Sequence, residues 1–344
     1  MNIVIALIVF SAIILFHELG HFLLAKANGI EVVEFSLGMG PRLISRPMGG
    51  TLYSLKLLPF GGSCMMKGED EENAEEGSFG SKSVWARISV VAAGPVFNFI
   101  LAWVLSVLII GAIGYDEPVL ESVLDGFPAQ EAGMQAGDRI LSINGRKIHF
   151  YREISDYSQF HQGKPVDLTC ERDGEEFTVR LEPMPENGRY YYGFTGNINA
   201  NRVRTGFFGT LKYAVHETVY WIRTTVSSLR MLFSGRVSLD DVSGPVGVVS
   251  VIGETVEESR SSGLFYVWLN VLNIAILLSA NLGVMNLLPI PALDGGRLVF
   301  LILEAIRGKR LNPEVEGRIH MTGLMLLLLL MVIVLFHDVY RLFA

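Results

Sequence analysis

Four stretches of the chain are long and apolar enough to cross about 30 Å of hydrocarbon as helices, and they constrain what the remainder can fold into. They run from Ile3 to Ala25, from Ile88 to Ile113, from Leu264 to Leu288, and from Ile319 to Phe336 or a little beyond, at most to Phe343. Half of the 344 residues are apolar and only 18% are charged, a balance shifted away from that of a water-soluble domain. Within lipid every backbone N–H and C=O needs a partner from the same structure, which a helix supplies and an open loop does not. The expected class is a multi-pass α-helical membrane protein with four transmembrane helices.

The first segment contains His17-Glu-Leu-Gly-His21. On a helix, residues four apart share a face, so both imidazoles can grip one Zn²⁺ with Glu18 beside them as a general base. The plainer reading is two histidines in an ordinary buried helix. In hydrocarbon, however, two imidazoles and a carboxylate cost several kcal/mol unless a metal, a partner or a water-filled cavity compensates. The third segment ends Asn281-Leu-Gly-Val-Met-Asn-Leu-Leu-Pro-Ile-Pro-Ala-Leu-Asp-Gly-Gly296, where Pro289 and Pro291 must break the helix at membrane depth. Asp294 then offers the oxygen that completes a His17, His21, Asp294 donor set and leaves the fourth position open to water. A capping aspartate at the membrane edge is the alternative. The amides of Asn281 and Asn286 need partners, either an unfolded substrate backbone or a neighbouring helix.

Charge sets the expected topology. The loop from Lys26 to Arg87 carries seven Lys and Arg, and that from Arg297 to Arg318 carries five. The N-terminus carries none, and the C-terminus only Arg341. The positive-inside rule makes both loops cytoplasmic, with both termini and the stretch from about Gly114 to Gly263 outside, and puts the histidine motif toward the cytoplasmic side. Ala25-Lys-Ala27 imitates a signal-cleavage site, but no basic residue precedes the apolar core and cleavage would discard the histidines. A net charge of −7 gives no basic patch suited to nucleic acid. Cys64 and Cys170 fall on opposite sides of the membrane and do not pair.

The first membrane half, 1–113, thus has a transmembrane helix at 3–25, a cytoplasmic loop at 26–87 and a second helix at 88–113. In the loop, Val32-Val-Glu-Phe35 and Thr51-Leu-Tyr-Ser-Leu-Lys-Leu57 between glycines predict a β hairpin, either a plain loop or a sheet edge to which an extended substrate adds. The acidic run Glu69–Glu76 reads as a solvated connector. Ala93-Gly-Pro-Val-Phe-Asn98 in the second helix is open to two readings, packing near the histidines or capping and kinking. Residues 118–183 have the texture of a β-rich domain, and Gly126–Gly145, with its short helix, Gly-Asp turn and Asn-Gly turn, looks like a PDZ domain of the bacterial protease type. Such a domain binds a peptide or acts as a steric filter. Between 206 and 263, Phe208, Leu211, Val215, Val219, Ile222, Val226, Leu229 and Phe233 line one face of an amphipathic helix, with Glu217 on another, and Ser243–Gly247 reads as a turn. The second membrane half, 264–344, has helices at 264–288 and 319–343 around a cytoplasmic loop at 295–318.

Taken together, His17-Glu-Leu-Gly-His21 and Asn286-x-x-Pro-x-Pro-x-Leu-Asp-Gly295, with four spans and an outside PDZ domain in that order, resemble the site-2 protease family of intramembrane zinc metalloproteases, specifically its bacterial RseP and RasP type. The resemblance covers nearly the whole chain, and implies zinc on His17, His21 and Asp294 with Glu18 activating water. It also implies substrate handling by Asn281, Asn286 and Pro289, and a membrane-associated β loop turning at Gly38-Met-Gly40. One PDZ domain fits here rather than two in tandem. The activity implied is hydrolysis within or beside transmembrane segments, in a bacterial cell membrane. The substrates would be single-span membrane proteins, such as anti-sigma factors or other regulators, or signal-peptide remnants. The rival is a non-catalytic membrane scaffold that binds peptides through its PDZ domain and uses the metal structurally.

Overall fold

The structure is a computed structural model describing residues 2–69, 75–186, 189–196, 202–235, 244–310 and 312–343. Residues 70–74 of the acidic run, and Ser243 of the expected turn, lie outside the described residues. In chain order the elements begin with α1 (Asn2–Ala27), β1 (Val32–Met48), β2 (Thr51–Met66) and α2 (Val84–Ile113). There follow β3 (Tyr115–Asp116), β4 (Ser122–Val123), α3 (Pro128–Glu131), β5 (Arg139–Ile143), β6 (Arg146–Lys147), α4 (Arg152–Phe160), β7 (Val166–Arg172) and β8 (Glu175–Leu181). Four short strands, β9 (Met184–Glu186), β10 (Arg189–Tyr191), β11 (Phe194–Thr195) and β12 (Arg202–Val203), precede α5 (Phe207–Phe233). The chain closes with α6 (Pro245–Arg260), α7 (Leu264–Asn286), α8 (Asp294–Arg307) and α9 (Pro313–Phe343). These elements form two compact units, residues 1–105 with 237–344, and residues 106–236.

Four helices have the length and apolarity to span a membrane: Ile3–Ala27, Val84–Ile113, Leu264–Asn286 and Glu314–Tyr340, all in the first unit except 106–113 of the second helix. Lipid is as apolar as leucine, so helices associate there by close packing of small residues and by hydrogen bonds. A methyl group at Gly20 of α1 would lie 2.4 Å from the Ala93 carbonyl of α2, and one at Gly283 of α7 would lie 2.6 Å from the Phe99 ring of α2. Ser279 on α7 donates to the Asn98 carbonyl at 2.8 Å. These contacts draw α1, α2 and α7 together at one depth.

The expected hairpin is more elaborate. β1 and β2 are antiparallel and joined at Gly49-Gly50, but each strand is bent so that Phe35 pairs with both Cys64 and Tyr53, and Leu37 with both Gly62 and Leu55. Residues 34–37 therefore lie between 62–65 and 52–55, while 42–48 flank the far side of 51–56. The result is a ribbon four segments wide whose edges are 62–66 and 42–48. Glu34, buried inside it, accepts Nε–H and Nη2–H of Arg42 at 2.8 and 2.9 Å.

Two helices replace expected loops. α6 begins at Pro245, where proline suits the first helical position, and its first-turn amides of Gly244 and Gly247 donate to the Asp338 carboxylate of α9 at 3.0 and 2.9 Å. Ile252 and Val256 on α6 pack with Ala6 of α1. α8 fills half of the expected loop 295–318, and its Glu304 accepts from Arg87 of α2 at 2.5 Å.

The second unit is built on the antiparallel order β6-β5-β7-β8. The β5–β6 turn places Asn144 and Gly145 at φ of 49° and 76°, the left-handed pair that an Asn-Gly hairpin requires. Leu120, Ile140, Ile143, Ile154, Val166, Leu168 and Leu181 form its core, and the packing continues past Pro183 to Tyr192 and Phe194. On α5 the buried face is Thr210, Ala214, Glu217, Thr218, Tyr220 and Thr225, whereas Phe208 and Phe233 of the apolar stripe are exposed. Glu217, expected on a face away from the apolar stripe, thus lies in the interior. The cause is Arg152, which pairs with Glu217 and, at 3.0 Å, with Asp116, and stacks over the rings of Phe150 and Tyr220.

Candidate metal centre

One turn of α1 separates His17 and His21, both buried, with their rings edge to face. Their Nε2 atoms lie 3.3 Å apart. Asp294 Oδ2 lies 3.2 Å from His17 Nε2 and 3.5 Å from His21 Nε2. Zinc bonds of about 2.0–2.1 Å at tetrahedral angles separate donor atoms by about 3.3 Å, so this triangle has the size that zinc requires. Asp294 Oδ2 is also buried without a hydrogen-bond partner, a cost that a bound cation removes. Among the described residues these three are the group that could hold a metal, and two imidazoles with one carboxylate suit zinc.

Asp294 is delivered by the broken end of α7. The helix stops at Asn286, the chain turns through Pro289 and Pro291, and Asp294 is the first residue of α8, where the helix dipole favours a carboxylate. Methyl groups at Gly295 and Gly296 would lie 2.1 Å from the Leu288 carbonyl oxygen and 2.4 Å from that of Ile290, so only glycines let α8 start against the turn. Ala292 stands at φ 75°, a strained conformation costing about 1–3 kcal/mol. Its N–H donates to His320 Nδ1 of α9 at 2.9 Å, which holds the turn in place.

The back of the site is α2. Val90 O lies 2.9 Å from His21 Nδ1, and Asn98 Nδ2 lies 3.1 Å from His17 Nδ1. Between them, a methyl group at Gly94 would lie 2.3 Å from His21 Nε2 and 2.7 Å from His17 Cε1. Only glycine leaves room for both rings. Sequence alone leaves Ala93–Asn98 between packing and kinking, because Val90, Gly94 and Asn98 stand in a helix that is apolar on every side. Glu18 is partly buried beside β2, where a methyl group at Gly62 would meet its Cγ at 3.2 Å.

The remaining expected positions are more spread out. Gly38 and Gly40 occupy β1 at φ of 87° and 88°, the former so close to β2 that a methyl group would lie 2.4 Å from the Leu58 carbonyl oxygen. Asn281 lies on α7, Asn286 ends it, and Pro289 is exposed in the turn.

Apolar helices thus bring together two imidazoles and a carboxylate, with a glutamate next to His17, in the class of site that a metal ion fits. Comparison with known proteins narrows the class: the pattern of peptidase family M50 matches residues 5–330. The chain is 33% identical to the zinc metalloprotease RasP of Bacillus licheniformis over 428 aligned positions, covering 100% of both chains. It is 32% identical to the regulator of sigma-W protease RasP of Bacillus subtilis, covering 99% of both. A segment of 24% of this chain is similar to 90% of the PDZ domain of the SdrC-like protein from Listeria monocytogenes, at 24% identity and a TM-score of 0.22. The chain belongs to peptidase family M50, the site-2 proteases. It is a zinc metalloprotease with zinc as its cofactor, which sets aside the scaffold reading.

Proposed function

We propose that this metalloprotease hydrolyses peptide bonds within or beside the transmembrane segments of other membrane proteins. The observation that carries the reading is the depth of the donor set, since His17 and His21 sit inside an apolar span and Asp294 meets them just past the end of another. In this reading His17, His21 and Asp294 hold the zinc. Bound zinc supplies Lewis-acid chemistry, acidifying water and polarising a carbonyl. Glu18 takes the proton of the attacking water and passes it to the leaving amine. A helical substrate hides its backbone, so it must first unwind. The ribbon edge 62–66, which pairs with β1 on one side and lies against Glu18 at Gly62, is where an extended segment would add, with Gly38 and Gly40 shaping the strand beside it. Asn281, Asn286 and Pro289 handle the substrate backbone near the broken end of α7.

The loop charges support a topology with both termini and the second unit outside a bacterial cell membrane, and the catalytic groups toward the cytoplasm. The exposed Phe208, Val215 and Phe233 of the α5 stripe suit the membrane surface. The PDZ-like unit outside would exclude folded ectodomains or bind a peptide, and we take exclusion as its role, so that the enzyme makes a second cut on trimmed single-span proteins or signal-peptide remnants. One relative is by name a regulator of sigma-W protease, which makes anti-sigma factors the first substrates to test. The test compares a single-span substrate bearing a folded ectodomain with its trimmed stub. Cleavage of the stub alone is expected; equal cleavage of both would refute exclusion.

A further inference from the structure

The two histidines meet α2 through their second ring nitrogens, and those contacts decide which nitrogen faces the metal. A neutral imidazole has one N–H and one lone pair, and a metal takes the lone pair. His21 Nδ1 faces the Val90 carbonyl at 2.9 Å, and a carbonyl only accepts, so Nδ1 carries the hydrogen and Nε2 keeps its lone pair toward Asp294. His17 Nδ1 faces instead a primary amide, Asn98, at 3.1 Å, and an amide can either donate or accept. With Nδ2 turned to the ring, Nδ1 would be the acceptor and the hydrogen would sit on Nε2, facing Asp294 and taking away the lone pair a metal needs. Rotating the amide half a turn about its terminal bond presents Oδ1 to the ring. That accepts an Nδ1–H and leaves the Nε2 lone pair toward His21 Nε2 and Asp294 Oδ2 at 3.3 and 3.2 Å.

We infer that Asn98 is a positioning residue that fixes His17 in the Nδ1–H tautomer by accepting its hydrogen bond, so that Nε2 faces the zinc. Val90, Gly94 and Asn98, spaced by four on α2, then act as one surface: a carbonyl for one ring, space for both, and an amide oxygen for the other. The surface is anchored from a third helix. Ser279 of α7 donates to the Asn98 main-chain carbonyl at 2.8 Å, and α7 also leads to Asp294, so one helix braces the backbone of the orienting residue and delivers the carboxylate donor. Asn98 itself is fully buried, so water does not substitute for it. Outer partners of metal-bound histidines contribute about 10–100-fold to metal affinity.

This inference rests on the proposed zinc site, and the experiment separates the two. Zinc affinity of the purified full-length chain is measured by competition with a chelator in wild type, Asn98→Leu, Asn98→Asp and the control His17→Ala, alongside thermal unfolding of each zinc-free form. Asn98→Leu keeps shape and loses the acceptor, and should bind zinc about 10–100-fold more weakly with little change in zinc-free unfolding. Asn98→Asp is an acceptor alone and should bind within about threefold of wild type or tighter. Wild-type affinity in Asn98→Leu would overturn the inference, and so would an equal loss in both variants. If Asn98→Leu does not fold, Asn98→Asp decides: a loss of tenfold or more contradicts a role that needs only an acceptor. Undiminished zinc binding by His17→Ala would instead contradict the zinc site itself.

Discussion

Gly62 of β2 lies directly against Glu18 of α1: a methyl group on the glycine would stand 3.2 Å from the glutamate Cγ and 3.1 Å from the Ser36 carbonyl oxygen. The side chain proposed as general base is thus covered by a strand that carries no side chain at the point of contact. Valine at position 62 should push Glu18 aside while leaving His17, His21 and Asp294 untouched. Cleavage of a membrane peptide is expected to fall at least tenfold with zinc content unchanged, as read by metal analysis beside the assay. Unchanged cleavage would show that the ribbon does not govern the approach to Glu18.

The ribbon is closed by Glu34 and Arg42. The Arg42 guanidinium, with Ser54 and Lys56 nearby, holds the Glu34 carboxyl at about 2, below its ordinary 4.5. A carboxyl lowered by folding stabilises fully above its unfolded value and loses that contribution as pH falls through its folded value. The ribbon should therefore be constant above about pH 4.5 and loosen toward pH 2. At pH 7, Glu34→Gln should cost about 1–2 kcal/mol, a figure reduced for the exposure of Arg42, and speed tryptic cutting after Arg42 and Arg46 about 5–30-fold. An unchanged rate would contradict it.

Within the second unit, Arg152 pairs with both Asp116 and Glu217, which are almost wholly buried. Removing one partner of a buried ion pair costs about 3–5 kcal/mol because the other charge is left alone. Arg152→Ala should therefore release α5 to faster amide hydrogen exchange in the full-length chain. Wild-type protection in α5 would mean that the network is dispensable.

How far these features were visible in the sequence depended on the distance of the partner. His17 and His21 are legible because a four-residue spacing is a helix face, and Asp294 because two prolines cannot sit inside a span without a reason. The surface of α2 behind them was not, since Val90, Gly94 and Asn98 lie in a helix apolar on every side and carry no periodic contrast. The polar side of α5 turned inward because Arg152, 65 residues earlier, meets Glu217. α6 read as a turn because Gly-Pro starts a helix only with its amides satisfied, and Asp338, more than 90 residues on, satisfies them. The doubled ribbon was hidden because alternation predicts strands but not where two long strands bend.

Burial also alters how the topology must be measured. Cys64 lies in the loop expected to be cytoplasmic, yet both it and Cys170 are buried, and loss of solvation raises both thiols, that of Cys170 to about 12. Both should resist maleimide in the folded protein. Single cysteines at exposed Glu76 and Glu176 report instead, the first expected to react only from the cytoplasm and the second only from outside. The opposite pattern would reverse the orientation.

The most direct test of the account takes wild type, Glu18→Gln and Asp294→Ala in detergent, and measures zinc per chain together with cleavage of a single-span membrane peptide. About one zinc is expected in wild type and in Glu18→Gln and almost none in Asp294→Ala, with cleavage in wild type alone. Cleavage by Glu18→Gln at the wild-type rate, or full zinc and activity in Asp294→Ala, would contradict it.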